Sequence, residues 1–208
     1  MVEPLRSSNF LSVLEQLIIF TRYPEAGKAK TRLIPALGEV GAAELHRQMT
    51  EATIAKVRHL EDVSICIYFT GGTIQQMQDW LGDDLEYQLQ PSGDLGDRLI
   101  HIFQTMFDRG ARSVIAIGTD CPELTSEILT LAFTQLKTHH LSIGEATDGG
   151  YYLIGLDQLI PDIFQNIAWS TDVVFQQTLE IVKRLDLSIA FLPELNDIDR
   201  PEDLQYLR

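Results

Sequence analysis

Apolar runs of strand length alternate along this chain with segments of helical period, and that alternation restricts it to one broad architecture. Runs at 16–21 (QLIIFT), 63–69 (VSICIYF), 113–118 (SVIAIG), 141–146, 151–156 (YYLIGL) and 187–192 (LSIAFL) read as strands, with a weaker one at 86–90. Between and after them, 40–59, 73–81, 96–109, 125–138, 171–185 and 201–207 read as helices. Asp94 and Asp97 stand near the start of the third helix, and Thr125 and Ser126 near that of the fourth, where side-chain oxygens cap backbone N–H groups. Strands apolar at nearly every residue are buried on both faces, which implies a mostly parallel sheet with helices on both sides. The exception is 141–156. Only Thr147-Asp148-Gly149-Gly150 separates its two strand runs, too short for a helical crossover, so this pair is expected to run antiparallel or to split between two parts of the sheet. The expectation is a single α/β domain over residues 1–208, Rossmann-like, with an insertion near its C-terminal half and residues 1–15 as an N-terminal extension.

The chain has 208 residues, a formal net charge of -14 and 22% charged residues, an ordinary globular composition. Such acidity argues against a partner held by its nucleic-acid backbone, which requires many unopposed cations. No apolar run reaches the roughly 18 residues of a membrane span. The first twenty residues lack a clean apolar stretch with a small-residue cleavage site, so no secretory signal is expected and the cytoplasm is the expected location. Cys66 and Cys121 read as small core residues of a reducing compartment.

Against this acidic background, four of the sixteen Lys and Arg residues fall within eleven positions: Arg22, Lys28, Lys30 and Arg32. They follow the run at 17–20 directly, in a loop with Pro24 and Gly27 where only Glu25 opposes them. A cationic loop at a strand's C-terminal end suits a phosphorylated ligand, because open α/β sheets bind ligands there and helix N-termini add N–H donors. The P-loop pattern fails: Lys28 is followed by Ala29, and Arg22 stands where its first glycine belongs. Thr31 is available as a helix cap. The alternative is a solvated basic turn.

Four further segments could carry chemistry. Asp120, in GTDCPEL, ends a buried strand before a proline and fits one of the one or two carboxylates that Mg²⁺ takes beside phosphate oxygens; its plain alternative is to cap the next turn. In QPSGDLGDR, Gly93 and Gly96 permit close backbone approach to a planar group, and Gln90 offers donor and acceptor for a base edge; the same glycines could simply build a turn. Thr147-Asp148-Gly149-Gly150-Tyr151-Tyr152 contains a tight turn that hairpin chemistry alone would explain, and side-chain alternation lets at most one tyrosine face a cleft. In NDIDRPED, Pro201 suits a first helical position with Asp199 as cap, leaving Asp197 to join Asp120 on a metal. The five histidines show no zinc spacing and read as surface or core, and no nucleophile elbow is present.

Taken in order, (R/K)xPxxGxxKTRL, QxxGDLGxR, IGxDCPxL, DGGYxLxGL and DIDxPEDL resemble the radical-SAM/selenodomain-associated transferase family. That family is similar to the phospholactate guanylyltransferases and belongs to the nucleotide-diphospho-sugar transferase superfamily of GT-A fold. The match runs over about residues 16 to 207. The resemblance implies that Arg22, Gly27, Lys28, Lys30 and Arg32 meet nucleotide phosphates, that Gln90, Gly93 and Gly96 face the base, and that Asp120 and Asp197 hold Mg²⁺ or Mn²⁺. It implies an acceptor site bordered by Asp148, Gly149, Gly150 and Tyr151, with Lys30, Arg32 and Asp148 in catalysis. The first loop lacks the GGxGxRM pattern of sugar-phosphate nucleotidyltransferases, and Asp120 is not part of a D-x-D pair.

The leading expectation is nucleotidyl transfer from an NTP to a small phosphorylated or carboxylate acceptor, with pyrophosphate leaving. Glycosyl transfer from a nucleotide sugar, of the arsenosugar type in parts of the family, is the alternative, and a non-catalytic nucleotide-binding module the second. The expected partners are nucleotide and acceptor, with neither nucleic acid nor membrane; a homodimer is left open.

Overall fold

The computed structural model of the protein describes residues 14–207. Seven strands form one sheet: β1 (Glu15–Arg22), β2 (Val63–Thr70), β3 (Glu86–Leu89), β4 (Ser113–Ile117), β5 (Leu141–Glu145), β6 (Tyr151–Leu156) and β7 (Ile189–Phe191). Five α-helices accompany them: α1 (Ile34–Val57), α2 (Ile74–Leu81), α3 (Leu95–Asp108), α4 (Ser126–Gln135) and α5 (Val174–Arg184). Every strand expected from the sequence is present, the weak one at 86–90 included. The segment 201–207 instead forms a 3-10 turn, Pro201–Tyr206. Short 3-10 turns at Thr31–Leu33 and Pro161–Phe164 were not anticipated. Of the N-terminal extension, residues 1–13 lie outside the described residues; Leu14 accepts backbone hydrogen bonds from Arg112 and Ser113.

The strand order is β3-β2-β1-β4-β6-β5-β7. β1 pairs parallel with both β2 and β4, while β6 runs antiparallel between β4 and β5, as the short 147–150 connection requires. Alternation along β1 then divides the core. Leu17 and Ile19 face a cluster with Ile54 and Val57 of α1, Met77 of α2 and Leu129 and Phe133 of α4. Ile18 faces the other side, with Leu99, Ile102 and Phe103 of α3 and Val182 of α5. Burying a large aliphatic side chain in this way contributes about 1.5–3 kcal/mol each.

The helix starts show which local signals the fold used. Asp94 caps α3 in a reciprocal box with Asp97, and Thr125 caps α4 by accepting from the N–H of Ile128. α1 is broken at Gly38, whose φ of 72° is outside helical space, which is why the pattern reads as helical only from residue 40. Among the described residues, no helix is long and apolar enough to cross a membrane.

This topology positions the site. β1 and β4 run parallel and adjacent although far apart in sequence, and between them the order of strand addition switches, with β2 and β3 laid down on one side and β4 to β7 on the other. β1, β2, β3, β4, β5 and β7 all end at the same sheet edge, and antiparallel β6 begins there. Every segment singled out in the sequence therefore leaves or enters at that edge, the usual ligand side of such sheets.

Candidate active site

Two adjoining hollows run along this edge. One, of about 470 Å³, lies over the ends of β1, β2 and β4 and is lined by Arg22, Lys28, Lys30, Arg32 and Arg98, with Thr70, Gln90 and Thr119. The other, of about 820 Å³, lies over β5 and β6 and is lined by Asp148, Gly150, Tyr151, Trp169, Asp172 and Asp197, among others. Arg32, Leu95, Asp120 and Asp199 border both. The lysines and aspartates named from the sequence thus share one continuous trench.

Lys30 is the hub of the junction. It occupies the left-handed region (φ 47°), and its side chain is only 4% exposed. Its ammonium sits 2.9 Å from Asp120 Oδ1 and 3.9 Å from Asp199 Oδ1, and donates to the carbonyl of Ile198. The N–H of Ile198 in turn donates to the carbonyl of Asp120 at 2.8 Å. Arg32 donates to Asp199, which holds its guanidinium above the usual arginine range. Lys28 pairs at the surface with Glu25 at 2.8 Å. Glu25 is the only opposing charge within the loop, but the fold delivers Asp120 and Asp199 from 90 or more residues downstream.

That placement corrects two expected caps. Thr31 is the first residue of the 3-10 turn and does not cap it; Lys30 precedes the turn with no side-chain cap bond. Asp199 does not cap the turn at Pro201 either. Asp203 accepts from the N–H groups of Asp199 and Arg200, leaving the Asp199 carboxylate to Arg32. A carboxylate three residues into the turn reaches those donors without strain, whereas Asp199 is drawn to a cation.

The Gln90 segment is internally satisfied. Gln90 Nε2 donates to the carbonyls of Thr21 and Tyr68, and its Oε1 accepts from Arg98. Gly93 adopts φ 108° ahead of α3. At Gly96, an added Cβ would lie 2.8 Å from the indole nitrogen of Trp169 and 2.4 Å from the carbonyl oxygen of Phe164. The planar group that approaches Gly96 is thus the protein's own tryptophan.

At the other hollow, Gly149 (φ 87°) packs against the backbone of Asp172, where a Cβ would fall 2.1 Å from the carbonyl oxygen. Its own carbonyl accepts from the N–H of Phe175, and Asp148 Oδ1 accepts from the N–H of Gly150. Both Tyr151 and Tyr152 border the hollow, although alternation allowed only one. They stand at the very start of β6, where the hollow wraps round the sheet edge and meets both faces. Burial, followed by the charge of Asp148, raises the Asp197 carboxyl to about 6. Burial also pushes the Cys121 thiol up, making it a poor nucleophile.

Two features were missed in the sequence. Thr171 and Asp172, read as the start of a helix, instead form a wall of the larger hollow with Trp169 and Ser170, and α5 begins only at Val174. A tryptophan amid polar residues was the available signal. Beneath the smaller hollow lies a buried polar knot: Thr21 Oγ1 is 3.3 Å from Thr50 Oγ1 and 3.5 Å from both Thr119 Oγ1 and His46 Nε2, and His46 Nε2 lies 2.9 Å from the carbonyl of Arg22. Burial holds the His46 imidazole below its ordinary range. Nothing in spacing alone joins residues 21, 46, 50 and 119.

Comparison with known proteins places the chain. Residues 53–171 match the profile of a family described as "Uncharacterized protein conserved in bacteria (DUF2064)". The chain belongs to the DUF2064 family. A solved structure from Desulfovibrio desulfuricans G20, provisionally assigned as a nucleotide-diphospho-sugar transferase, shares 35% identity with this DUF2064 chain at a TM-score of 0.88. The alignment covers 93% of this chain and 85% of that one. At 13% identity the fold alone is shared with two others. The 4-diphosphocytidyl-2C-methyl-D-erythritol synthase of Anaerococcus prevotii has a TM-score of 0.62, with 93% and 94% covered. A CMP:2-keto-3-deoxy-manno-octonic acid synthetase complexed with CTP has a TM-score of 0.55, with 93% and 96% covered. No curated protein matches significantly.

Proposed function

We propose that this DUF2064 protein is a cytoplasmic, divalent-metal-dependent transferase that moves a group from a nucleotide-activated donor to a small acceptor. One observation carries the reading: a cation-lined hollow and a carboxylate-lined hollow meet at Asp120, Arg32 and Asp199 at the sheet edge where the strand order switches sides. The donor phosphates then lie on the side of Arg22, Lys28, Lys30 and Arg32, and the acceptor beside Asp148, Gly149, Gly150 and Tyr151. The printed assignment of the 35% identical relative as a nucleotide-diphospho-sugar transferase supports the reading, as do the nucleotide-handling enzymes that share the fold. The narrower kinship with radical-SAM/selenodomain-associated transferases and phospholactate guanylyltransferases belongs to the same proposal, as does action as one domain over residues 1–208.

The residues present fit a divalent cation. Burial, then the charge of Asp148, disfavours ionisation of Asp197, a cost that a cation would relieve, and Asp197 has no salt bridge among the described residues. No group of three or more potential protein ligands converges among the described residues, so two carboxylates would be completed by phosphate and water oxygens, the habit of Mg²⁺ and also open to Mn²⁺. Asp120 and Asp197 would hold the ion, which supplies charge neutralisation at the leaving phosphate. Lys30 and Arg32 hold the donor phosphates in line, and Asp148 accepts the proton of the attacking acceptor hydroxyl.

Of the two transfer types, the pairing of Lys30 and Arg32 with Asp120 and Asp199 favours glycosyl transfer, because it lowers the positive charge toward that of a diphosphate. Here the acceptor oxygen bonds to the sugar carbon, the carbon–oxygen bond to phosphate breaks, and nucleoside diphosphate leaves. Nucleotidyl transfer stays as a second reading on the strength of the CTP-bound synthetase fold. In that reaction the acceptor oxygen attacks the α-phosphorus and pyrophosphate leaves. Incubation with Mg²⁺ and panels of NTPs and nucleotide sugars separates them: nucleoside diphosphate is the expected product, pyrophosphate supports the second reading, and absence of both with every pair overturns catalysis.

A further inference from the structure

The larger hollow carries information about the acceptor that the transfer reading leaves open. We infer that it takes a ring-shaped polyol without negative charge, in neutral or amine-bearing form, and rejects phosphorylated and carboxylated acceptors; this rests on the donor–acceptor division proposed above. The inference replaces the phosphorylated or carboxylate acceptor expected from the sequence.

The first support is electrostatic. Seven carboxylates and only two cationic side chains, Arg32 and Arg200, line the larger hollow. The guanidinium of Arg32 is already engaged by Asp199. In the smaller hollow the proportion is reversed, with five Lys and Arg side chains against Asp120 and Asp199. With Asp199 on Arg32, a divalent cation on Asp120 and Asp197 would offset two more charges and leave Asp148, Asp172, Glu202 and Asp203 against Arg200 alone. Sites for phosphorylated or carboxylated molecules place arginine forks or lysines against the anion. This wall does the opposite, and like charges in a cleft repel at close range.

The second support is a fixed aromatic surface. Trp169 lines the larger hollow and is half-buried. It meets Tyr151 edge to face, with centroids 6.3 Å apart and an interplanar angle of 83°. Gly96 lets α3 approach the indole closely, and the backbone N–H of Trp169 donates to the carbonyl of Ile167 at 2.9 Å. The adjoining backbone is pinned by Ala168 N–H on Gln177 Oε1 at 2.8 Å and by Asp172 against Gly149. Among the described residues, no hydrogen bond engages the indole N–H. An immobilised ring with an electron-rich face suits the C–H bonds of a pyranose-like ring. The surrounding carboxylates and the hydroxyls of Ser170 and Thr171 suit its hydroxyl groups. A hollow of about 820 Å³ lies within the usual range for a small ligand.

The test uses the full chain with Trp80→Phe, which leaves Trp169 as the only tryptophan. Trp80 lies outside both hollows. Glucose, glucosamine, glucose 6-phosphate and glucuronate, all of one ring shape, are titrated in Mg²⁺ against Trp169 emission. Glucose and glucosamine are expected to bind at least tenfold more tightly than the two anions, and Asp172→Asn with Glu202→Gln should narrow that ratio. Equal or tighter binding of either anion, no response to any ring, or a ratio unmoved by the double variant overturns the inference. Thermal shift with nucleoside diphosphates and Mg²⁺ is run in parallel. A rise there with anions preferred removes the acceptor assignment alone, whereas no rise with any nucleotide removes the transfer reading beneath it.

Discussion

The two ends of the trench hold their charge differently. Around β1, β2 and β4 four of the five cations come from one short stretch, and the fold answers three of them individually: Glu25 for Lys28, Asp120 for Lys30, Asp199 for Arg32. Around β5 and β6 the carboxylates come from several separate segments, and burial, followed by the charge of Asp148, disfavours ionisation of Asp197. One end is a partly paired lattice that a ligand must rearrange; the other stores unfavourable charge that a ligand or ion relieves. The lesson is that a basic run in sequence does not equal a basic surface, because tertiary contacts can neutralise it.

The largest expected effect tests the strained end. Asp197→Asn should reduce product release at least 1,000-fold while stabilising the fold. The Asp197 carboxyl is raised to about 6 against 3.8 unfolded, so its ionisation favours the unfolded chain. Its stabilising contribution is present below about pH 4 and lost as pH rises through 6. The variant should therefore melt no higher than the parent at pH 4. In metal-free buffer at pH 7.5 it should melt higher by a few degrees, about 1 kcal/mol once partial exposure is discounted. Equal melting at both pH values would show that neither burial nor the charge of Asp148 penalises the Asp197 carboxylate.

The paired end should break at its hub. Lys30→Met takes the ammonium away from the half-exposed Asp120 and from the Ile198 carbonyl, and losing these charge-assisted hydrogen bonds costs about 1–3 kcal/mol. Turnover is expected to fall about 100-fold, with a melting temperature lower by several degrees. Arg32→Met, removing a pair that is 55% and 30% exposed, should raise KM and leave the melting temperature nearly unchanged. Equal destabilisation by both would refute the hub role of Lys30.

The smallest effect lies beneath the paired end. His46 has a folded pKa below its unfolded value, so its contribution to stability is complete above about pH 6.5 and is lost as pH falls toward the folded pKa. His46→Gln keeps a donor for the Arg22 carbonyl and should flatten the decline in melting temperature between pH 7.5 and 5.5. An unchanged decline would assign it to other groups.

Sequence alone determined the elements, because a strand's burial is written in consecutive apolar residues and a helix start in its capping oxygen; β1, β4 and the Asp94 and Thr125 caps were legible on those grounds. It also determined that the candidate segments gather at one sheet edge, since parallel strands all finish there. Only the tertiary structure decided which charges meet. The partners of Lys30 and Arg32 lie 90 to 169 residues away, Trp169 reaches the cleft through a loop with no periodic signature, and Thr21, His46, Thr50 and Thr119 touch only once β1, α1 and β4 are packed. Electrostatic energy depends on distance in space, and distance in space is the quantity a linear pattern does not carry.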